Sequence, residues 1–213
     1  METIMSTARE KIYGDLNPYD NFERLPLDDQ GWSSTSPVFE EVIKELQPKI
    51  IVEVGTWKGA SAIHMAKNCL KHYNDFHIIC IDTFMGSVEH WTKAKDLIFQ
   101  NNTNGRPNIY PQFLSNVLHN ELQDYITPLP VDSINGSEIL LHYEIMADLI
   151  YIDAGHDYNS VRMDFIHYAR NLREGGYLLG DDWFHEPIKA AAYDTFGDDK
   201  VIEKSRDKFL WIK

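Results

Sequence analysis

Acidic residues recur in this sequence where short apolar runs stop. Glu53 lies inside Ile50-Ile51-Val52-Glu53-Val54, Asp82 follows Ile78-Ile79-Cys80-Ile81, and Asp132 with Ser133 follows the run from Ile126 to Val131. Asp153 follows Leu149-Ile150-Tyr151-Ile152, and Asp181-Asp182 follow Tyr177-Leu178-Leu179-Gly180. A single aspartate in such a place is an ordinary turn former or helix cap, and that alternative stands for Asp132 and for Asp182, which precedes a helix opening near His185-Glu186-Pro187. Five acidic ends along one sheet edge repel one another unless a cation, hydroxyls or amines offset them. His156, three residues after Asp153, adds an imidazole that could accept a proton near neutral pH; in a chain with nine histidines, an exposed or structural role is the alternative.

The first of these ends opens a glycine turn, Glu53-Val54-Gly55-Thr56-Trp57-Lys58-Gly59. A dinucleotide fold uses G-x-G-x-x-G so that the backbone can approach a pyrophosphate, and here Trp57 stands where the second glycine would be. The pattern argues against NAD. It suits a ligand with a ribose but no phosphate, a cationic centre and an amine, and S-adenosylmethionine is such a ligand.

The elements that must carry these residues follow from periodicity. Val38, Val42 and Leu46 mark one helix face ahead of Pro48, and Ile63, Ala66, Leu70 and Tyr73 mark another after Gly59. Val161, Phe165, Tyr168 and Leu172 mark a third, with a helix stop expected at Glu174-Gly175-Gly176. Strands apolar throughout and separated by helices are covered on both faces, which implies a mainly parallel α/β sheet. Lys200 to Glu203 and Lys208 to Ile212 read as a terminal hairpin that adds an antiparallel strand. Residues 1–36 carry turn signals and read as an arm or lid, and residues 37–213 as the catalytic domain. The stretch 86–124 exceeds one crossover helix and contains the exposed loop Asn101–Asn108; it is a lid or substrate wall, or a surface excursion without a role.

With 213 residues, 43% of them hydrophobic, the chain suits one domain with a sizeable core. Its net charge of −13 disfavours nucleic acid and anionic membrane surfaces, whose binding draws on clustered cations. No apolar run approaches the roughly 20 residues of a membrane span, and no signal-peptide pattern opens the sequence. Cys69 and Cys80 sit in apolar patterns as free thiols, so a cytoplasmic location is expected.

The ordered set Val52-Glu53-Val54-Gly55-Thr56-Trp57-Lys58-Gly59-Ala60-Ser61, Ile81-Asp82-Thr83-Phe84-Met85-Gly86, Ile152-Asp153-Ala154-Gly155-His156-Asp157-Tyr158 and Gly175 to Asp182 resembles class I S-adenosylmethionine-dependent methyltransferases. Similarity is greatest to the small-molecule group that includes the cephalosporin and macrolide-sugar O-methyltransferases. The resemblance implies a Rossmann-like, seven-stranded, mostly parallel sheet with a C-terminal antiparallel hairpin and helices on both faces. It implies that Glu53 faces the cofactor's methionine amine, directly or through water, that Gly55, Thr56, Trp57, Gly59 and Ser61 form the cofactor turn, that Asp82 with Thr83 binds the ribose, and that Asp132 with Ser133 flanks the adenine. It further implies that Asp153 also borders the cofactor, that Asp153, Asp181 and Asp182 hold a divalent cation, Mg2+, and that His156 with Asp153 serves catalysis; Gly155 stands where the macrolide-sugar enzymes tend to carry an Asp. The expected partner is a small-molecule acceptor, O-methylated on a sugar or secondary-metabolite hydroxyl, and the arm is a possible homo-oligomer contact. A metal-independent N-methyltransferase and a non-catalytic S-adenosylmethionine-binding module are the alternatives.

Overall fold

A computed structural model describes residues 4–28, 30–32, 34–99 and 104–213. The β-branched run Ile50–Val54 forms β1; β2 is His77–Ile81, β3 Ile126–Leu129, β4 Ala147–Ile152, β5 Leu172–Gly180, β6 Val201–Glu203 and β7 Phe209–Ile212. They make one sheet in the order β3-β2-β1-β4-β5-β7-β6. Strands β3 to β5 are parallel, and β7 runs antiparallel to both β5 and β6, as the terminal hairpin required.

Helices α1 (Ile4–Tyr13), α2 (Pro37–Leu46), α3 (Ala60–Leu70), α4 (Val88–Lys93), α5 (Ile109–His119), α6 (Ser133–His142), α7 (Tyr158–Asn171) and α8 (Glu186–Phe196) surround the sheet. Alternate strand residues serve opposite layers. Ile51, Ile78, Leu149 and Tyr151 pack with Phe39, Met65 and Phe113 from α2, α3 and α5. Val52, Ile79, Ile150 and Leu178 pack with Leu140, Phe165 and Ala191 from α6, α7 and α8. This two-sided burial is why the strands carry no polar alternation, and it places Glu53, Cys80 and Tyr151 side by side in register on the α2–α3 face. Among the described residues no helix is long and apolar enough to cross a membrane.

Four local readings change. Strand β3 stops at Leu129 rather than Val131, because the chain turns there, the Val131 N–H donating back to Leu129 O at 2.9 Å. The glycines expected to stop a helix lie inside β5: α7 has already ended at Asn171, and Gly175, at φ +75°, donates its N–H to Lys213 O at 3.0 Å. The N-terminal arm, read as turns and loops, opens with the helix α1. Its Tyr13 and Tyr19 hydroxyls donate to Pro128 O and Ile126 O, both at 2.9 Å, so they satisfy outward carbonyls of the edge strand β3. Within the stretch 86–124, α5 is a core-packed crossover helix whose Phe113 and Val117 are fully buried, and residues 101–103 of the expected loop lie outside the described residues.

The arm then runs along α5. Gln112, Ser115, Asn116 and His119 share one helical face and bond the backbone of Leu25 to Asp28, with Asn116 Nδ2 donating to Asp28 O at 2.6 Å.

Candidate functional site

The chain passes from β1 to β2 and β3 on one side, then crosses to β4 and β5 on the other, so the order reverses between β1 and β4. A cavity of about 900 Å³ opens there, outside the carboxyl ends of the strands, where open α/β sheets bind ligands. Its floor depends on Gly55. The turn after β1 lies so close to the end of β4 that a Cβ on Gly55 would stand 2.1 Å from Asp153 O, and its φ of +85° also favours glycine. Gly59, at φ +87°, abuts the Phe113 ring and forms the N-cap of α3; it supports the turn from behind the cavity wall.

Thr56, Trp57 and Ser61 line the cavity beside Gly55, whereas Glu53 does not. The Glu53 carboxylate is fully buried behind two of these side chains: Thr56 Oγ1 donates to it at 2.6 Å, Ser61 Oγ donates to its other oxygen, and Cys80 Sγ lies at 3.7 Å. Burial pushes the Glu53 carboxyl up to about 7, against the lowering effect of those hydrogen bonds. Any influence of Glu53 on a ligand therefore passes through the Thr56 and Ser61 hydroxyls.

Asp82 closes β2 at the cavity. Its carboxylate spans the turn, taking N–H bonds from Trp57 at 2.9 Å and Phe84 at 2.7 Å, while burial raises its carboxyl above the ordinary range. Trp57 holds a left-handed backbone, φ +51°, and its ring stacks on His90 at 4.4 Å between centroids, with Trp32 of the arm at 5.7 Å. Gln30 Oε1 accepts from Trp57 Nε1 at 2.9 Å, so the arm forms the roof. Thr83, Asp132 and Ser133 complete this end. Asp132 is also the N-cap of α6, accepting from Asn135 N at 3.0 Å, so the capping role left open for it is real.

The opposite wall holds the second acidic group. Asp153, His156 and Asp182 each offer one donor atom, all within 4.8 Å of one another. His156 Nε2 and Asp182 Oδ2 are 3.0 Å apart; the hydrogen bond between them raises the imidazole and lowers the carboxyl. Asp182 has φ +55° and does not cap α8, whose N-cap is His185. Asp181 also borders the cavity but is turned into the core. Its Oδ1 takes Lys208 Nζ at 2.9 Å and the Asp182 N–H at 2.8 Å, and its Oδ2 takes Tyr151 Oη at 2.6 Å. Tyr151 has one proton for two carboxylates, Asp181 at 2.6 Å and Asp153 at 3.1 Å. Burial and the charges of Asp181 and Asp182 hold the Asp153 carboxyl well above its usual range.

Among the described residues, the set that can hold a divalent cation is thus Asp153, Asp182 and His156: two hard oxygen donors and one imidazole. Lys208 and Tyr151 were not read as site residues. The only signal for either was a lysine opening an otherwise apolar strand, and a tyrosine two residues before Asp153 on the same strand face. Phe184 lines the cavity and is 47% exposed, whereas its neighbour Trp183 is core.

A family profile described as a methyltransferase domain matches residues 52–183. Several solved structures share the fold. The O-methyltransferase NovP is 16% identical with a TM-score of 0.60, covering 99% of this chain and 96% of its own. The calicheamicin methyltransferase CalS11 is 18% identical with a TM-score of 0.58, covering 82% and 76%. An O-methyltransferase from Bacillus cereus, in complex with SAH, is 15% identical with a TM-score of 0.56, covering 84% and 82%. No curated protein matches in sequence.

Proposed function

This chain belongs to the methyltransferase-domain family, and from that premise we propose that it transfers the methyl group of S-adenosylmethionine to a hydroxyl of a small acceptor, a sugar or another secondary metabolite, with a divalent cation beside the acceptor. The observation that carries the reading is Asp82, a cavity-lining acid bonded to the Trp57 amide across a turn without a pyrophosphate glycine. Its carboxylate would accept the ribose hydroxyls, with Thr83 beside it. Asp132 and Ser133 would flank the adenine, and Thr56 and Ser61, backed by Glu53, would meet the methionine amine.

Methyl transfer from sulfonium to oxygen is an in-line displacement, so the protein aligns oxygen, carbon and sulfur and removes one proton. A cation held by Asp153 and Asp182 would lower the acceptor hydroxyl's pKa. His156 is the group that would take that proton: it is 60% exposed toward the cavity, and Asp182 fixes the orientation of its ring and stabilises its charged form. Phe184, beside His185 at 4.3 Å between ring centroids, would offer the acceptor a flat apolar face.

The test is calorimetric titration with S-adenosylhomocysteine and with NADH. We expect the former alone to bind, and Asp82→Ala to weaken it at least about tenfold through loss of two charge-assisted hydrogen bonds. Absence of binding, or an unchanged affinity in Asp82→Ala, would refute the reading.

A further inference from the structure

The two adjacent acids after β5 face opposite ways. Asp182 turns up to His156, while Asp181 turns down to Lys208, whose side chain is fully buried while that of Asp181 is 5% exposed. Lys208 comes from the residue before β7, and its ammonium lies under two aromatic rings, 5.1 Å from the Phe39 centroid and 5.2 Å from that of Tyr151. Its polar neighbours are Asp181 at 2.9 Å, Tyr151 Oη at 3.3 Å and Asp207 at 3.6 Å. A buried ammonium is costly unless paired, so the hairpin carries a fixed positive charge directly behind the acidic cluster. Both Asp181 oxygens are thereby engaged by protein donors, Lys208 and the Asp182 amide on one and Tyr151 on the other.

We propose that Lys208 is a positioning residue that withdraws Asp181 from the donor set of the divalent cation, leaving Asp153 and Asp182, with His156 beside them, as the groups the cation meets. Asp181 then serves as the anchor that orients Asp182 through its amide and Tyr151 through its hydroxyl. The inference rests on the divalent-cation reading above. It departs from the three-acid set that the sequence resemblance implies, because the fold supplies a cation of its own to the third acid.

Neutralising the pair separates the two arrangements. Mn2+ serves as the probe, with free aquo-ion followed by electron paramagnetic resonance and S-adenosylhomocysteine affinity measured in parallel by calorimetry. The decisive protein is the double variant Asp181→Asn/Lys208→Met, which keeps shape and net charge. It is expected to bind Mn2+ within about threefold of the wild type, since no ligand of the ion and no net charge has changed. Asp182→Asn is expected to lose at least about tenfold by removing a direct ligand. Lys208→Met alone, where it folds, is expected to bind about tenfold more tightly, because one negative charge behind the site is uncovered. A folded Lys208→Met with unchanged Mn2+ affinity would overturn the assignment of Lys208 as the group that holds Asp181 back. Loss of Mn2+ binding in the double variant comparable with that in Asp182→Asn overturns the proposal and returns Asp181 to the donor set. A wild type that binds no Mn2+ overturns the cation reading as well, and the parallel nucleoside titration shows whether the cofactor reading survives.

Discussion

Replacing Glu53 by Gln changes the pH dependence of stability by an amount that follows from its burial. The carboxyl has no exposure, and burial raises it from an ordinary value of 4.5 to about 7. Each tenfold rise in proton affinity is worth 1.36 kcal/mol, so the whole displacement amounts to about 3 kcal/mol. The folded state holds this proton more tightly than the unfolded chain. The favourable contribution is therefore complete below about pH 4.5 and is lost as the pH climbs towards 7, above which the buried carboxylate weighs fully against folding. Gln carries no charge at any of these values, and it can accept from Thr56 and donate to Ser61. Urea unfolding followed by circular dichroism at pH 5, 6, 7 and 8 is the assay. The stability of Glu53→Gln relative to wild type is expected to rise by about 2–3 kcal/mol across that range. Asp164, which burial raises to about 6, titrates in both proteins and cancels in the comparison. Two parallel stability curves would refute the argument that Glu53 is enclosed behind the two hydroxyls.

Gly55→Ala is expected to lower stability by at least about 3 kcal/mol in thermal unfolding, since the new methyl has no room beside Asp153 O and the residue sits at φ +85°. A loss under about 1 kcal/mol would mean that the β1 and β4 turns are not in contact. Tyr19→Phe is expected to cost about 1–2 kcal/mol by leaving the Ile126 carbonyl without its donor, and amide exchange along β3 should accelerate with it. An unchanged exchange rate would remove the arm's hydroxyls from the account of that edge.

The sheet was legible because its strands are buried on both faces: Ile50–Val54 and Ala147–Ile152 contain almost no polar interruption, and helical spacing resumes after each turn. Strand-end acids were legible for the same reason, since an acid that closes an apolar run sits at the sheet's carboxyl edge. Direction was not. Asp181 and Asp182 are neighbours with the same chemistry, and only the left-handed backbone at Asp182 sends one to the cavity and the other to a lysine 27 residues further on. Glu53 was correctly placed on β1, but its exposure was not readable, because it depends on Thr56 and Ser61 closing over it. Gly175-Gly176 misled since glycine pairs serve helix stops and irregular strands equally well. Helix α1 was missed because the turn signals that follow it outweighed its short Ile4, Ala8, Ile12 spacing, and because it is held by contacts with residues over a hundred positions away, such as Arg9 with Gln123 O.

That distance gives the arm a particular place in time. Its anchors are separated from it by 107 positions for Tyr19 with Ile126, 115 for Tyr13 with Pro128 and 88 for Asp28 with Asn116. During synthesis the arm therefore waits, undocked, until α5 and β3 have been made. Loop closure over such spans costs entropy before any contact is gained, so the roof over Trp57 depends on α5 and β3 being in place to receive it.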